Sequence, residues 1–575
     1  MKHLIPYFKK YRLESILAPL FKMLEACFDL AVPMIVAVII DQGIRTANRS
    51  VITSRFFLLI AMALLGLLCS FIAQYFAARA AVGTAAGLRE ELLQKIHTFG
   101  IPELDRIGSS TLITRITSDI NQVQNGVNML LRLFLRSPFI VFGALVMEIS
   151  INKTVALVFA GMIAVLFLIV FGIMHATSPL YRQVQERLDD VTEATRENLN
   201  GVRVIRAFGR EEVEQERFAR VNELLCKAQL VAGRVAAAMN PLTYLVVNAG
   251  ILAVLWMGAG RVNSGALGSG DVIALINYIS QILVELVKLA NLIILLGKSA
   301  SGMSRIGQVL DAPSPATQNK QKPGREDAPE LLRFQHVSLR YPGAGADSLT
   351  DLSFSVQPGE TVGVIGGTGS GKTSLAHLIT RFYEPTAGTV TLLGEPIREL
   401  SRSALLSHVA LVDQNPRLFT GTIRSNLLFG NPAATKEELW EALETAQAAE
   451  FVRQKPEGLD APVTQGGANL SGGQKQRLTI ARALAAKPRL LILDDSASAL
   501  DYATDAALRR SLSQLPEEVT VLMISQRAGS LLSADHILVL EDGNQAGWGT
   551  HEELLKSNPV YQEIYYSQFG KEAHA

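Results

Sequence analysis

Six long apolar stretches in the first half of this chain decide most of what it can fold into. They lie approximately at 16–42, 56–82, 127–150, 154–178, 237–260 and 271–298. A bilayer core about 30 Å thick is crossed by about 20 apolar residues rising 1.5 Å each, so each stretch predicts a membrane-spanning helix. At 575 residues the chain exceeds one ordinary domain, and its composition leans the same way, with 49% hydrophobic and 19% charged residues. A net charge of +1 leaves no bulk electrostatic case for binding nucleic acid. We therefore expect an all-α transmembrane domain over 1–311 with long cytoplasmic helical extensions. A Pro-rich polar linker follows over 312–329, and a soluble α/β domain fills 330–575. Cys27, Cys69 and Cys226 are far apart, in or beside apolar helical segments, with neither metal spacing nor an obvious disulfide framework.

Loop charge predicts orientation. The segments 83–126 and 179–236 are rich in Lys and Arg, whereas the short loops at 151–153 and 261–270 carry one each. The long segments and both termini are expected in the cytoplasm, with the chain multi-pass in the cell membrane. The first outer loop dissents, because Arg45, Arg49 and Arg55 would lie outside. Met1–Arg12 is short, basic and weakly amphipathic, suited to the membrane surface. The two long segments carry helical patterns, and continuing a span by about 25 residues reaches roughly 37 Å beyond it. Glu25, Asp29, Glu148, Glu285 and Lys288 fall inside spans, with Arg132 and Arg136 near the start of the third. Such charges either line a polar pathway or pair between helices and near the interface. Glu25, Asp29 and Glu285 are the candidates for a substrate pathway.

The second half carries chemistry. Thr361–Ile365 is a short β-branched run, followed by Gly366, Gly367, Thr368, Gly369, Ser370, Gly371, Lys372 and Thr373, and then by a helical pattern. This is a phosphate loop in strand–loop–helix context. Its glycines let backbone N–H groups close on a phosphate, and the helix start adds partial positive charge. Lys372 is placed to reach the β- and γ-phosphates of ATP and Thr373 to bind Mg²⁺. Leu490–Asp494 reads as a second buried strand ending in a carboxylate, with Asp494 in the Mg²⁺ shell.

Between these two elements stand Leu470, Ser471, Gly472, Gly473 and Gln474, running into another helical pattern. This resembles the signature of ATP-binding cassette proteins, and six spans ahead of one cassette resemble the half-transporters of the exporter class. The resemblance covers the whole chain and implies roles position by position. Tyr341 would stack on adenine, unless it is an ordinary strand tyrosine. Gln414 would sense Mg²⁺ and the transmembrane half. Asp501 would lie in the loop that crosses to an opposite cassette. Gln465 stands where the family often has Glu. Two cassettes would pack head to tail, each ATP lying between the Walker residues of one and the signature of the other.

Two positions depart from the family pattern. Asp495 stands where a catalytic Glu is expected and Gln526 where a His is expected. Withdrawing a carboxylate by roughly 1 Å can cost about 10²-fold in rate. An amide donates a hydrogen bond but carries no positive charge. The reading is an impaired ATPase site in one subunit of a heterodimeric multidrug-type exporter. The partner would be a homologous half-transporter with Glu and His intact, and the cargo small hydrophobic or amphipathic compounds in contact with membrane lipid. An ATP-gated channel or regulatory subunit, and a homodimeric lipid or peptide exporter, are the alternatives.

Overall fold

The computed structural model describes residues 2–313 and 328–570, so most of the expected linker lies outside the described residues. The chain divides into two compact units. The first holds Met1–His97 and Gly108–Pro313, the second Thr98–Ile107 and Ser314–Ala575.

The first unit contains six helices long and apolar enough to cross a membrane: α1 (Arg12–Ile44), α2 (Arg49–His97), α3 (Ser109–Ile151), α4 (Lys153–Ala207), α5 (Glu211–Asn263) and α6 (Ser269–Leu310). Four of them run far past their apolar stretches, because the polar flanks keep good helix formers, and α4 continues through Pro179. α2 turns a stripe of small residues inward, with Ala73, Ala77, Ala81 and Ala85 buried at helical spacing. Small side chains let neighbouring backbones approach closely, which is where dispersion gains are made inside a membrane. The core joins Leu30, Ile140, Phe159, Leu166, Tyr278 and Ile282 from α1, α3, α4 and α6. Tyr278, fully buried, donates its hydroxyl to the Leu30 carbonyl at 2.7 Å. The N-terminal segment packs on α2: a Cβ on Gly87 would stand 2.3 Å from the Tyr7 ring, and Tyr7 donates to Glu91 at 2.6 Å.

Most of the intramembrane charges form one connected network. Arg136 donates to Glu285 at 2.6 Å and to Asp29 at 2.9 Å, with Glu25 3.9 Å away. Ser137 and Lys288 also donate to Glu285, both at 2.8 Å, and Lys22 donates to Glu25 at 2.6 Å. Glu148 differs: it is fully buried and neither carboxylate oxygen has a hydrogen-bond partner among the described residues.

Among the described residues the second unit is built on a ten-stranded sheet with helices on it, beside a small two-stranded sheet of Gly421–Thr422 and Pro462–Val463. The strands of the larger sheet are β1 (Leu332–Leu339), β2 (Leu349–Val356), β3 (Thr361–Gly366), β4 (Ala387–Leu392), β5 (Glu395–Pro396), β6 (Val409–Val412), β7 (Leu490–Asp494), β8 (Thr520–Ile524), β9 (His536–Glu541) and β10 (Asn544–Gly549). They run in the order β5-β4-β1-β2-β10-β9-β3-β8-β7-β6. β9, β3, β8, β7 and β6 are mutually parallel, and the pairs β9–β10, β1–β2, β1–β4 and β4–β5 are antiparallel. β7 shows why these strands read as continuous apolar runs: Leu490 and Ile492 enter the core on one face, Leu491 and Leu493 the core on the other. The helices used below are α7 (Lys372–Ile379), α8 (Gly472–Ala485), α9 (Tyr502–Leu512) and α10 (Pro559–Phe569). The segment Thr98–Ile107 belongs to this unit, and its Asp105 accepts a hydrogen bond from Tyr383.

Removing one member of a buried ion pair leaves the other charge uncompensated, at a cost of about 3–5 kcal/mol. Arg136→Met is therefore expected to destabilise the helical unit by about that amount, and adding Glu285→Gln should restore part of the loss. Equilibrium unfolding in mixed micelles measures both.

Candidate active site: the nucleotide cleft

The site is built at the carboxyl ends of β3, β8 and β7. Parallel pairing sets Ile524 level with Asp494 on one side and with Val364 on the other. The loops leaving these strands thus converge. The phosphate loop leaves β3 at Gly366 and enters α7 at Lys372. Gly369 and Gly371 take φ of +84° and +94°, which side chains disfavour. A Cβ on Gly371 would also stand 2.5 Å from Leu349. α7 is held by Leu375, Ala376, Leu378 and Ile379, all fully buried, so the loop is fixed at both ends.

Lys372 donates to the carbonyls of Gly366 at 2.9 Å and Gly367 at 2.6 Å. Burial pushes its ammonium below the usual lysine range, opposed by the charges of Asp495 and Asp494. Asp494 is pushed above the usual aspartate range, chiefly by burial and further by Asp413 and Asp495, while the Thr373 hydroxyl bonded to it pulls the other way. Asp495 is likewise raised by burial, against the opposing charges of Lys372 and Arg527. Gln414 donates to Asp495 at 3.3 Å. Asp495 takes a φ of +45°, a left-handed conformation that aspartate tolerates better than most residues.

Thr368, Gly369, Ser370, Gly371, Lys372, Thr373, Gln414, Asp494, Asp495 and Gln526 all line one cleft of about 660 Å³. Both departures from the family pattern therefore face the phosphate loop. Tyr341 does not line this cleft. Its hydroxyl donates to Ser374, which does, at 2.9 Å, and its ring stands edge-on to Tyr383 at 4.7 Å. Leu470–Gln474 and Asp501 lie away from the cleft and form the starts of α8 and α9. Ser471 and Gln474 close a capping box, Gln474 N–H donating to the Ser471 hydroxyl at 3.3 Å and Ser471 N–H to the Gln474 side chain at 3.0 Å. Asp501 caps α9 by accepting from Thr504 N–H at 2.8 Å. Asp347 and Asp542 also line the cleft and were not foreseen. Asp542-Gly543 turns from β9 into β10, and the Asp-Gly pair is a readable turn signal that says nothing of a cleft.

The oxygen donors Thr373, Asp494 and Gln414 suit a hard cation, and no group of three or more His, Cys, Asp or Glu able to hold a metal exists among the described residues. Thr373, Asp494 and Gln414 would hold Mg²⁺, which would neutralise phosphate charge when bound.

Six spanning helices ahead of a strand–phosphate-loop–helix domain define a half-size exporter with an ATP-binding cassette. The family model "ABC transporter transmembrane region" matches residues 15–286 and "ABC transporter" matches 349–498. The uncharacterized ABC transporter ATP-binding protein YfiB of Bacillus subtilis is 35% identical, covering 100% of this chain and 99% of that protein. An ATP-dependent lipid A-core flippase of Chromobacterium violaceum is 28% identical over 99% of this chain and 97% of its own length. A bacterial Atm1-family ABC exporter with ATP bound shares the fold with a TM-score of 0.80 at 21% identity, covering 99% of each chain. The chain belongs to the ABC transporter family and is a multi-pass membrane exporter half whose ATPase domain implies ATP hydrolysis in transport.

A carboxyl whose pKa is raised on folding binds its proton more tightly when folded, so its ionisation opposes folding as pH rises from the unfolded value through the folded one. Asp494→Asn is therefore expected to raise the melting temperature of the nucleotide-free chain at neutral pH. The gain should vanish below the ordinary aspartate range of about 4, where both forms are protonated. Stabilisation by Mg²⁺-ATP should be lost in the same variant. Melting curves across pH, with and without Mg²⁺-ATP, check all three.

Proposed function

We propose that this chain is one half of a heterodimeric ATP-driven exporter of hydrophobic or amphipathic compounds, working by alternating access with its cassette and both termini in the cytoplasm. Its own cleft holds ATP and splits it slowly. Its helix start at Ser471–Gln474 completes a faster site on a partner half that carries Glu and His. The observation that carries this reading is the convergence of Asp495 and Gln526 on the cleft that Lys372, Thr373 and Asp494 also line. Phosphoryl transfer depends on positioning and electrostatics, and these two positions would supply both. Binding groups are retained, so affinity survives while rate falls. Two independent losses of about 10²-fold would approach 10⁴, with the multiplication limited because the two groups act as a unit.

Tyr341 enters as the adenine platform in this proposal, with Tyr383 and Ser374 fixing its ring. Gln414 contributes by holding the Asp495 carboxylate. The network of Glu25, Asp29 and Glu285 borders the pathway with its charges paired by Arg136, which suits cargo that is apolar over most of its surface. A second reading is favoured by the lipid A-core flippase among the relatives: a lipid exporter, assembled from two copies of this chain.

In the assembled exporter, Ser471→Arg is expected to abolish nearly all ATP turnover, while Asp495→Ala changes it little. Equal losses from the two would reject the asymmetric model, and brisk hydrolysis and pumping by the chain alone would favour the two-copy exporter. Restoring the family residues with Asp495→Glu plus Gln526→His should raise hydrolysis at this chain's own cleft by about 10–100-fold. Single-turnover release of phosphate, with the partner's site disabled, reads that gain.

A further inference from the structure

We propose that Gln568, near the end of α10, is a positioning residue for Gln526 and thereby sets how strongly this cleft distinguishes ATP from ADP. This rests on the reading of Gln526 as the group that faces the γ-phosphate. The side-chain amide of Gln568 makes two hydrogen bonds to the loop that carries Gln526. Its Nε2 donates to the Gln526 carbonyl at 2.8 Å, and its Oε1 accepts from Ala528 N–H at 2.8 Å. One planar group thus grips the backbone on both sides of Arg527, using a donor and an acceptor whose spacing is fixed by the amide itself.

The surroundings make this grip decisive for the loop. Just before it, Ser525 is buried, and its N–H donates to the Val364 carbonyl of β3 at 3.0 Å, so the strand-side end is fixed. Just after it, Arg509 of α9 donates to the Gly529 carbonyl at 2.9 Å, and a Cβ on Gly529 would stand 3.2 Å from the Phe569 ring. Residues 525 and 529 are therefore anchored by other elements, and Gln568 supplies the bonds at 526 and 528. A side chain pointing at a phosphate is aimed by its backbone, and an error of about 1 Å weakens a directional contact sharply. Gln568 is exposed, so water competes for both bonds and the expected effect is moderate.

The discriminating measurement compares the affinities of the full-length chain for the non-hydrolysable imido analogue of ATP and for ADP, both with Mg²⁺. Gln568→Ala should weaken analogue binding about three- to tenfold and leave ADP binding unchanged. Gln526→Ala should give the same pattern, and the double variant should be no worse than Gln526→Ala alone. Gln562→Ala is the control on the same helix: it removes a bond to the Leu555 carbonyl and should leave the ratio of the two affinities as it is. If Gln526→Ala shifts the ratio and Gln568→Ala does not, the positioning role is wrong and the reading of Gln526 stands. If Gln526→Ala leaves the ratio unchanged, the γ-phosphate reading fails and the proposal fails with it. Equal weakening of both ligands by Gln568→Ala, or a matching shift from Gln562→Ala, would show general loosening of the domain and overturn the proposal.

Discussion

The lateral hydrogen bonding of β3, β8 and β7 is the constraint on which the chemistry of this protein depends. Three parallel strands end level, so three loops with no sequence proximity open onto one space. The alignment continues past the strands, because Asp495 N–H donates to the Ile524 carbonyl and Ser525 N–H to the Val364 carbonyl. A slip of one residue in either pairing would exchange the two faces of a strand that is apolar on both, at little cost in burial. What such a slip would destroy is the meeting of Lys372, Asp494, Asp495 and Gln526. Register here is therefore maintained by the polar groups beyond the strand ends as much as by the core.

The electrostatics of the cleft follow from that convergence. Two adjacent carboxylates and one ammonium are drawn out of water together, and each is shifted toward its neutral form by burial. The arrangement is costly to the empty protein and favourable to a ligand that brings phosphates and a cation at once. Lys372 meanwhile donates to the carbonyls of its own loop, at Gly366 and Gly367. The membrane half handles charge the other way: Arg136 closes its network internally, and Asp29 and Lys288 remain the members with substantial exposure, at 44% and 41% of their side chains.

Some of this was legible in the sequence. The six apolar stretches, the phosphate loop and the strand ending in Asp494 each follow a local rule in which residue type, spacing and backbone conformation agree. Asp495 and Gln526 were readable as departures because the pattern around them is otherwise complete. The relation of Arg136 to Glu285 was not readable, since it links positions 149 residues apart whose registers are set by helix packing. Nor was the place of Tyr341, whose hydroxyl bonds Ser374 and whose ring stands edge-on to Tyr383. Gln568 gives no signal at all, being an ordinary polar residue near a helix end that acquires its partners only when the last helix folds back. Thr98–Ile107 was expected in the membrane half by contiguity, but contiguity cannot show which unit a short connecting helix packs against.

The capping box at Ser471 has one more consequence. In the proposed pairing of two halves the signature meets a phosphate on another subunit, and here it is already hydrogen-bonded to itself and rooted by the buried Leu470. It enters an encounter as a finished surface, with no disorder to surrender. In that proposal the entropy of joining two such halves is spent on bringing large bodies into line, and a nucleotide between them would act as the adhesive.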